Sequence, residues 1–386
     1  MHSKFLKIEQ NIWESFEREN RIGLLTGLSG MALYYSKMHT AFQYDSYIYK
    51  LSKVIEKVNA ILEKEACLSS LCSGIAGFGI VLLEIDDNYI KVDKEYYETL
   101  DSILIEDLIK FSELNNYDFL HGSMGIAMYF IERCKADKNL RNIEELNKFS
   151  ENLIYKINNN LVDFFTSELT LDPKDRFCIY FGIAHGVSGC LNFLVHLRNS
   201  FSELKTDIKN SLQNCIAFLE SYKKFDETSK QFYPNLILLK SQTVVNSRLS
   251  WCQGDLGVSN SLYNCGVYLN DENLINESRK LIATSQKITL EESFVKDFGL
   301  CHGSTGIALQ YFMASQKYNM DLSKEIKYWT NIIADQTENF EKFKFYSEQK
   351  YIDESNLLEG TIGLGLTLLT LENKINTDWM KIINLF

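Results

Sequence analysis

A Gly-x-x-Gly pair followed by an apolar stretch occurs seven times in this chain: "TGLSGMALYY", "SGIAGFGIVLL", "HGSMGIAMYF", "HGVSGCLNFL", "QGDLGVSNSLY", "HGSTGIALQYF" and "EGTIGLGLTLL". The first glycines are Gly27, Gly74, Gly122, Gly186, Gly254, Gly303 and Gly360, spaced by 47, 48, 64, 68, 49 and 57 residues. About 47 residues suffices for two helices and two turns, so each interval reads as a helical hairpin. Between the pairs, "YIYKLSKVIEKVNAILEKEA", "YYETLDSILIEDLIKFSEL" and "NKFSENLIYKINNNLVDFF" place apolar residues three and four apart, the pattern of half-exposed outer helices. The stretches just after the glycines are apolar nearly all round, as inner helices packed on several sides require.

Hairpins in series either stack into an open array, which needs polar capping units, or close into a ring. The last unit, "LLEGTIGLGLTLLTLENK", is as apolar as the middle ones, so closure is expected. The fold is then all-α: an α/α toroid, or double-layered α/α barrel, of seven hairpins whose helix starts all face one end of the ring. Glycine at those starts supplies freedom in φ and a missing side chain. Residues 1–386 read as a single domain, with longer insertions within about 130–180 and 222–250. These hold "SELTLDPKDRFCIYF" and "FYPNLILLKSQTVVNSRLSW", whose β-branched, aromatic and Pro residues predict extended segments or a lid over the ring's mouth.

A chain with 45% hydrophobic and 24% charged residues can bury a large core, and its formal charge of -11 with no basic block argues against nucleic acid as a partner. That charge suits a cationic peptide or a small thiol better. No apolar run approaches a membrane span and "MHSKFLKIEQNIWESFEREN" is not a signal peptide, so a cytoplasmic chain is expected. Nine cysteines, an odd number at irregular spacing, do not make a disulfide framework. Cys134, Cys190, Cys215 and Cys265 fall in helical stretches and read as small core residues.

Aligned on the first glycine, the repeats show two informative columns. Two places before it stand Leu25, Cys72, Leu120, Ala184, Cys252, Cys301 and Leu358; one place before it stand Thr26, Ser73, His121, His185, Gln253, His302 and Glu359. Three of six histidines and three of nine cysteines occupy these columns, which a closed ring gathers at its mouth. Cys252, Cys301 and His302 offer two thiols and an imidazole, a donor set zinc takes, with a fourth tetrahedral position left open. The alternative is small residues packed beside glycine turns, which is how Cys72 reads. His185, in the repeat before that of Cys252, faces the open position and can move a proton near neutral pH, or is a loop histidine bonded to backbone. Asp118 and Arg248 approach their loops as site residues, caps or ion-pair members. His121 is a pocket residue across the ring. A toroidal glycoside hydrolase needs two facing carboxylates, and only Glu359 and Asp118 lie near the mouth.

Through "SWCQGDLG", "LCHGSTGIA", "IAHGVSGCLNFL" and the seven glycine pairs, from residue 23 to about 370, the sequence resembles the lanthionine synthetase C-like family, cyclases that form thioether rings in lanthipeptides. The resemblance implies an α/α toroid with Zn²⁺ on Cys252, Cys301 and His302, and His185 and Asp118 as acid/base or substrate-orienting residues. Arg248 falls where the family carries an arginine beside the site. Gln253 departs from the tyrosine common there, which removes any role for a phenol. The implied reaction is Michael-type addition of substrate cysteine thiolates to dehydroalanine or dehydrobutyrine, giving lanthionine or methyllanthionine. The donor set agrees with this, since a thiol on a metal is deprotonated whereas a free one is only a few per cent thiolate at pH 7. The repeats consume the chain, so the resemblance implies a stand-alone cyclase acting on a dehydrated precursor peptide. A separate dehydratase and a membrane peptide exporter are its implied partners, through which it would sit at the membrane periphery. The competing readings are a zinc-dependent thiol transferase using glutathione or another small thiol, and a non-catalytic zinc-containing peptide-binding scaffold.

Overall fold

Each glycine pair starts an inner helix: Leu28–Phe42, Ile75–Ile85, Ser123–Ala136, Val187–Ser200, Asp255–Leu269, Ser304–Lys317 and Thr361–Leu371. The structure, a computed structural model, describes residues 3–86, 88–169, 175–347 and 349–386. At these starts the loop folds back on itself. In the first three repeats and the sixth, the first N–H of the helix donates to the carbonyl six residues before the first glycine: Leu28 to Arg21, Ile75 to Leu68, Ser123 to Asn116 and Ser304 to Asp297. That satisfies one of the N–H groups a helix start leaves orphaned. It also leaves no room for a side chain, because a Cβ on any of the seven first glycines would collide with that carbonyl. Freedom in φ explains only one of the seven: Gly254 lies at φ 88, while the other six are extended backbone. The expectation that glycine acts through both properties is corrected accordingly.

The outer helices Asp45–Leu62, Lys94–Glu113, Leu140–Asn159, Lys209–Ser221, Glu272–Ser285 and Ser323–Gln336 each follow an inner helix in the chain. They bury one face, as Leu51, Val54 and Val58 do in the first of them. The seventh hairpin is assembled from both ends of the chain. Ser3–Ser15, which buries Phe5, Ile8 and Ile12, packs as the outer partner of the last inner helix, Thr361–Leu371. That inner helix also contacts Ser304–Lys317 on one side and Leu28–Phe42 on the other, so the α/α toroid is closed.

A belt of main-chain hydrogen bonds marks the end of the ring where the inner helices start. It joins the residues two places before each first glycine. Leu25 N–H donates to Cys72 (2.9 Å) and Cys72 to Leu120 (2.9 Å); Ala184 donates to Cys252 (3.4 Å), Cys252 to Cys301 (3.4 Å), Cys301 to Leu358 (2.8 Å) and Leu358 back to Leu25 (3.2 Å). The repeated column of the sequence is thus a physical circle. At Leu120 the pattern changes, and its N–H donates to Asp118 Oδ1 at 2.9 Å.

The two long intervals contribute strands Thr166–Glu168, Phe177–Tyr180, Leu236–Leu238 and Val244–Val245, joined in that order as one antiparallel sheet. The predicted extended segments lie here, although residues 170–174, Pro173 among them, are outside the described residues. A hairpin of Phe345–Ser347 and Lys350–Ile352, not anticipated from the sequence, precedes the last glycine pair. The final segment, with a 3-10 helix at Asp378–Ile383, fills the bore of the ring: Trp379, Met380, Ile383, Asn384 and Leu385 are all buried. Among the described residues no helix is long and apolar enough to cross a membrane.

Candidate metal centre

The Cys252 and Cys301 loops are held in register by the belt, so their side chains are presented to the mouth from a rigid backbone. One donor atom from each of Cys252, Cys301 and His302 can be chosen so that all three lie within 4.8 Å of one another. Cys252 Sγ is 3.2 Å from His302 Nδ1, and Cys301 Sγ is 3.8 Å from His302 Nε2. Tetrahedral zinc with the usual Zn–S and Zn–N bonds separates its ligand atoms by about 3.5–3.8 Å. The hydrogen bond with Cys301 holds the Cys252 thiol well below its ordinary value against the effect of burial, aided by His302, and the same bond pushes Cys301 up. Burial alone would lower His302, but its hydrogen bond with Cys252 and the charge there raise it. A single ring nitrogen of His302 can bind the ion, and two thiols and an imidazole with one donor atom each inside 4.8 Å fit Zn²⁺ by chemistry, needing only a small adjustment of the side chains.

The His185 loop lies against the Cys252 loop through the Ala184–Cys252 link of the belt. His185 Nδ1 is 2.8 Å from Asp118 Oδ2. The other oxygen, Asp118 Oδ1, accepts from the N–H groups of Leu120 (2.9 Å) and His121 (2.7 Å), which orients the carboxylate. Burial opposes a charge on His185, but the Asp118 carboxylate, its hydrogen bond and the charge on Cys252 outweigh this and raise the imidazole above its ordinary value. Asp118 moves the other way: burial is overcome by the charge and hydrogen bond of His185 and by the His121 N–H, and its value is lowered.

His121 is not across the ring from this pair. Its ring lies 5.8 Å from that of His185 at an interplanar angle of 13°, and burial lowers its value. The ring of Tyr180, on the second strand of the sheet, has its centroid 6.0 Å from that of His185. Arg248 is half-buried and close enough to act electrostatically on Cys301, His302 and Asp297. Glu359, one repeat beyond His302, is raised by burial, while the His302 charge works in the opposite direction. Cys72 is buried, and that burial pushes its thiol up to about 11, in keeping with packing. Gln253 is half-buried, and its carbonyl accepts from Ser250 Oγ at 3.2 Å.

Two supports of the site had no signature in the sequence. Trp251 Nε1 donates to the Ile383 carbonyl at 3.0 Å, while Asn384 Nδ2 donates to the carbonyls of Ile183 (3.3 Å) and Gly189 (3.0 Å). The terminal segment therefore ties the Cys252 loop to the loop that carries His185, from inside the bore. The second support is Asp255, whose carboxylate accepts from Phe232 N–H (2.8 Å) and Tyr233 N–H (3.1 Å) while burial pushes it up to about 7. It fastens the second insertion to the Cys252 loop.

Compared with solved structures, the chain is similar to nisin cyclase: 21% identity, a TM-score of 0.78, and coverage of 98% of this chain and 96% of that one. It also matches an inactive variant of an alpha-1,6-mannanase of Salegentibacter sp. in complex with alpha-1,6-mannotetrose, at 8% identity and a TM-score of 0.44 over 95% of this chain and 97% of that one. Compared with known families, residues 18–383 match the family described as lanthionine synthetase C-like protein. With that match running from just before the first glycine pair into the terminal segment of the bore, this chain belongs to the lanthionine synthetase C-like family.

Proposed function

We propose that this chain is a zinc-dependent lanthipeptide cyclase, closing lanthionine and methyllanthionine rings in a dehydrated precursor peptide. The observation that carries the reading is the close set of Cys252, Cys301 and His302 donors beside the His185–Asp118 pair. Cys252, Cys301 and His302 hold Zn²⁺, which when bound supplies the positive charge that keeps a thiol ionised at neutral pH. His185, with Nδ1 directed to Asp118, is left with Nε2 for proton exchange. It accepts the proton of the substrate thiol. As the C–S bond forms, the alkene electron pair moves onto the neighbouring carbonyl, and His185 returns a proton to the α-carbon of the resulting enolate. Arg248 supplies positive charge toward the enolate oxygen.

In this reading residues 1–386 work as one domain carrying a small inserted sheet. The dehydrated peptide arrives from a separate dehydratase and leaves through a membrane exporter, which places the chain in the cytoplasm near the membrane. The test is incubation of the zinc-loaded protein with a dehydrated precursor peptide, counting free thiols and mapping rings by fragmentation. An unchanged thiol count sinks the cyclase reading. Supplying glutathione as the thiol in the same assay separates out the thiol transferase, and zinc-dependent binding without thiol loss marks the peptide-binding scaffold.

A further inference from the structure

Next to the His185–Asp118 pair is a cleft of about 450 Å³ between the segment Leu114–Asp118 and the strand Thr166–Glu168. Asp118 and His185 form part of its lining, and Met124, Phe164 and Phe177 supply apolar walls. Phe177 is 50% exposed, an aromatic ring that the core does not use. Among the described residues Thr166–Glu168 is the end strand of the sheet, paired with Phe177–Tyr180 alone. Leu169 N–H donates to the Arg176 carbonyl at 2.6 Å, and the ladder sets Glu168 opposite Phe177 and Ser167 opposite Cys178. Hydrogen-bonded pairs alternate along an antiparallel ladder, so the Glu168 N–H and C=O point away from the partner strand, to the open edge.

We propose that this cleft binds the peptide segment flanking the alkene acceptor as an added strand on the edge of Thr166–Glu168. The inference rests on the cyclase reading and extends it to how the substrate is held. An edge strand is a template for main-chain pairing, and pairing of this kind is indifferent to side-chain identity except where pockets receive alternate residues. Here the edge supplies the main-chain bonds and Phe177, Phe164 and Met124 the apolar contacts. Three strand residues span about 10 Å. The cleft shares His185 with the site, so a strand lying in it brings the next residue, the acceptor, to the imidazole, while the metal cluster lies against the His185 loop through the Cys252 link. The class of ligand is an extended peptide with small or apolar residues beside the acceptor.

The test uses the zinc-loaded full chain and a fluorescein-labelled peptide with alanine in place of the dehydroalanine and serine in place of the cysteine, so that no ring can close. Glu168→Pro removes an edge N–H at a position where proline is tolerated. It should weaken binding about threefold to tenfold. Phe177→Ala removes a half-exposed ring and should do the same, and zinc content in both variants should equal that of the unaltered protein. N-methylating the peptide on the residue that pairs with Glu168 removes the N–H that donates to the Glu168 carbonyl, which proline keeps, so it should weaken binding to the unaltered protein and to Glu168→Pro alike. Wild-type affinity in both variants, or no binding of the probe by the unaltered protein, overturns the proposal. Ring closure is not read in this experiment, so loss of the cyclase reading and loss of the strand-docking reading are distinguishable.

Discussion

Asp118 Oδ2 stands 2.8 Å from His185 Nδ1 at the place where the main-chain belt departs from its pattern, because Asp118 Oδ1 has taken the Leu120 N–H. Around the rest of the circle that N–H joins one loop to the next. Here it serves instead to orient a carboxylate, and the carboxylate orients a histidine.

Asp118→Asn is expected to keep the acceptor for Leu120 and His121 while removing the charge. His185 should then titrate lower, as read by NMR of the imidazole protons. The pair's own stabilisation follows from the two shifts. Asp118, lowered from 3.8, contributes above that value and loses its contribution as pH falls through the lowered one. His185, raised from 6.5, contributes fully below that value and loses its contribution as pH rises through the raised one. Partial exposure limits the total to less than about 1 kcal/mol. Urea unfolding across this range should show a shallow maximum between the two values, flattened in Asp118→Asn; an unaltered profile contradicts the assignment.

Cys252→Ala and Cys301→Ala should each lose tightly bound zinc, measured by elemental analysis after dialysis against a weak chelator. Stripping the unaltered protein should lower its thermal midpoint, because binding at about 100 times Kd adds roughly 2.7 kcal/mol to the folded state. Full zinc retention by both variants removes the assigned centre.

His185→Asn should retain zinc and slow ring closure by about 10² to 10⁴-fold, the usual contribution of a positioned acid or base. Single-turnover thiol consumption is the measurement. Normal turnover takes His185 out of the mechanism.

Asn384→Gly keeps a residue able to adopt its φ of 58 and removes the side chain that bonds Ile183 and Gly189. The Ile183 carbonyl loses its side-chain donor, at a cost of about 1–3 kcal/mol when no water replaces it, whereas the Gly189 carbonyl lies within the helix Val187–Ser200 and keeps its helical partner. Urea denaturation should show that loss, and His185 should become less ordered by NMR while zinc content stays constant. Unchanged stability would show that the terminal segment packs without holding the loops.

The helical hairpins and the columns of the mouth were legible because every repeat carries its own local instruction. A glycine whose Cβ would strike the carbonyl six residues back marks a helix start wherever it occurs. Once seven such starts lie on one circle, Cys252, Cys301, His302 and His185 are neighbours by position in the repeat. Local pattern also placed the extended insertions, through Pro, Val and aromatic residues.

What the sequence determined by itself is therefore what a repeated, short-range constraint can specify: seven hairpins, one rim on which their inner helices start, and the cysteines and histidines gathered along it. The tertiary structure alone decided that Ser3–Ser15 completes the hairpin of Thr361–Leu371, that His121 lies beside His185, and that Ile383 and Asn384 brace two loops from within the bore. These contacts join segments up to hundreds of residues apart, and their partners are backbone carbonyls or apolar faces that every segment offers. Only the closed ring, by leaving one bore to fill and one last inner helix to cover, selects among them.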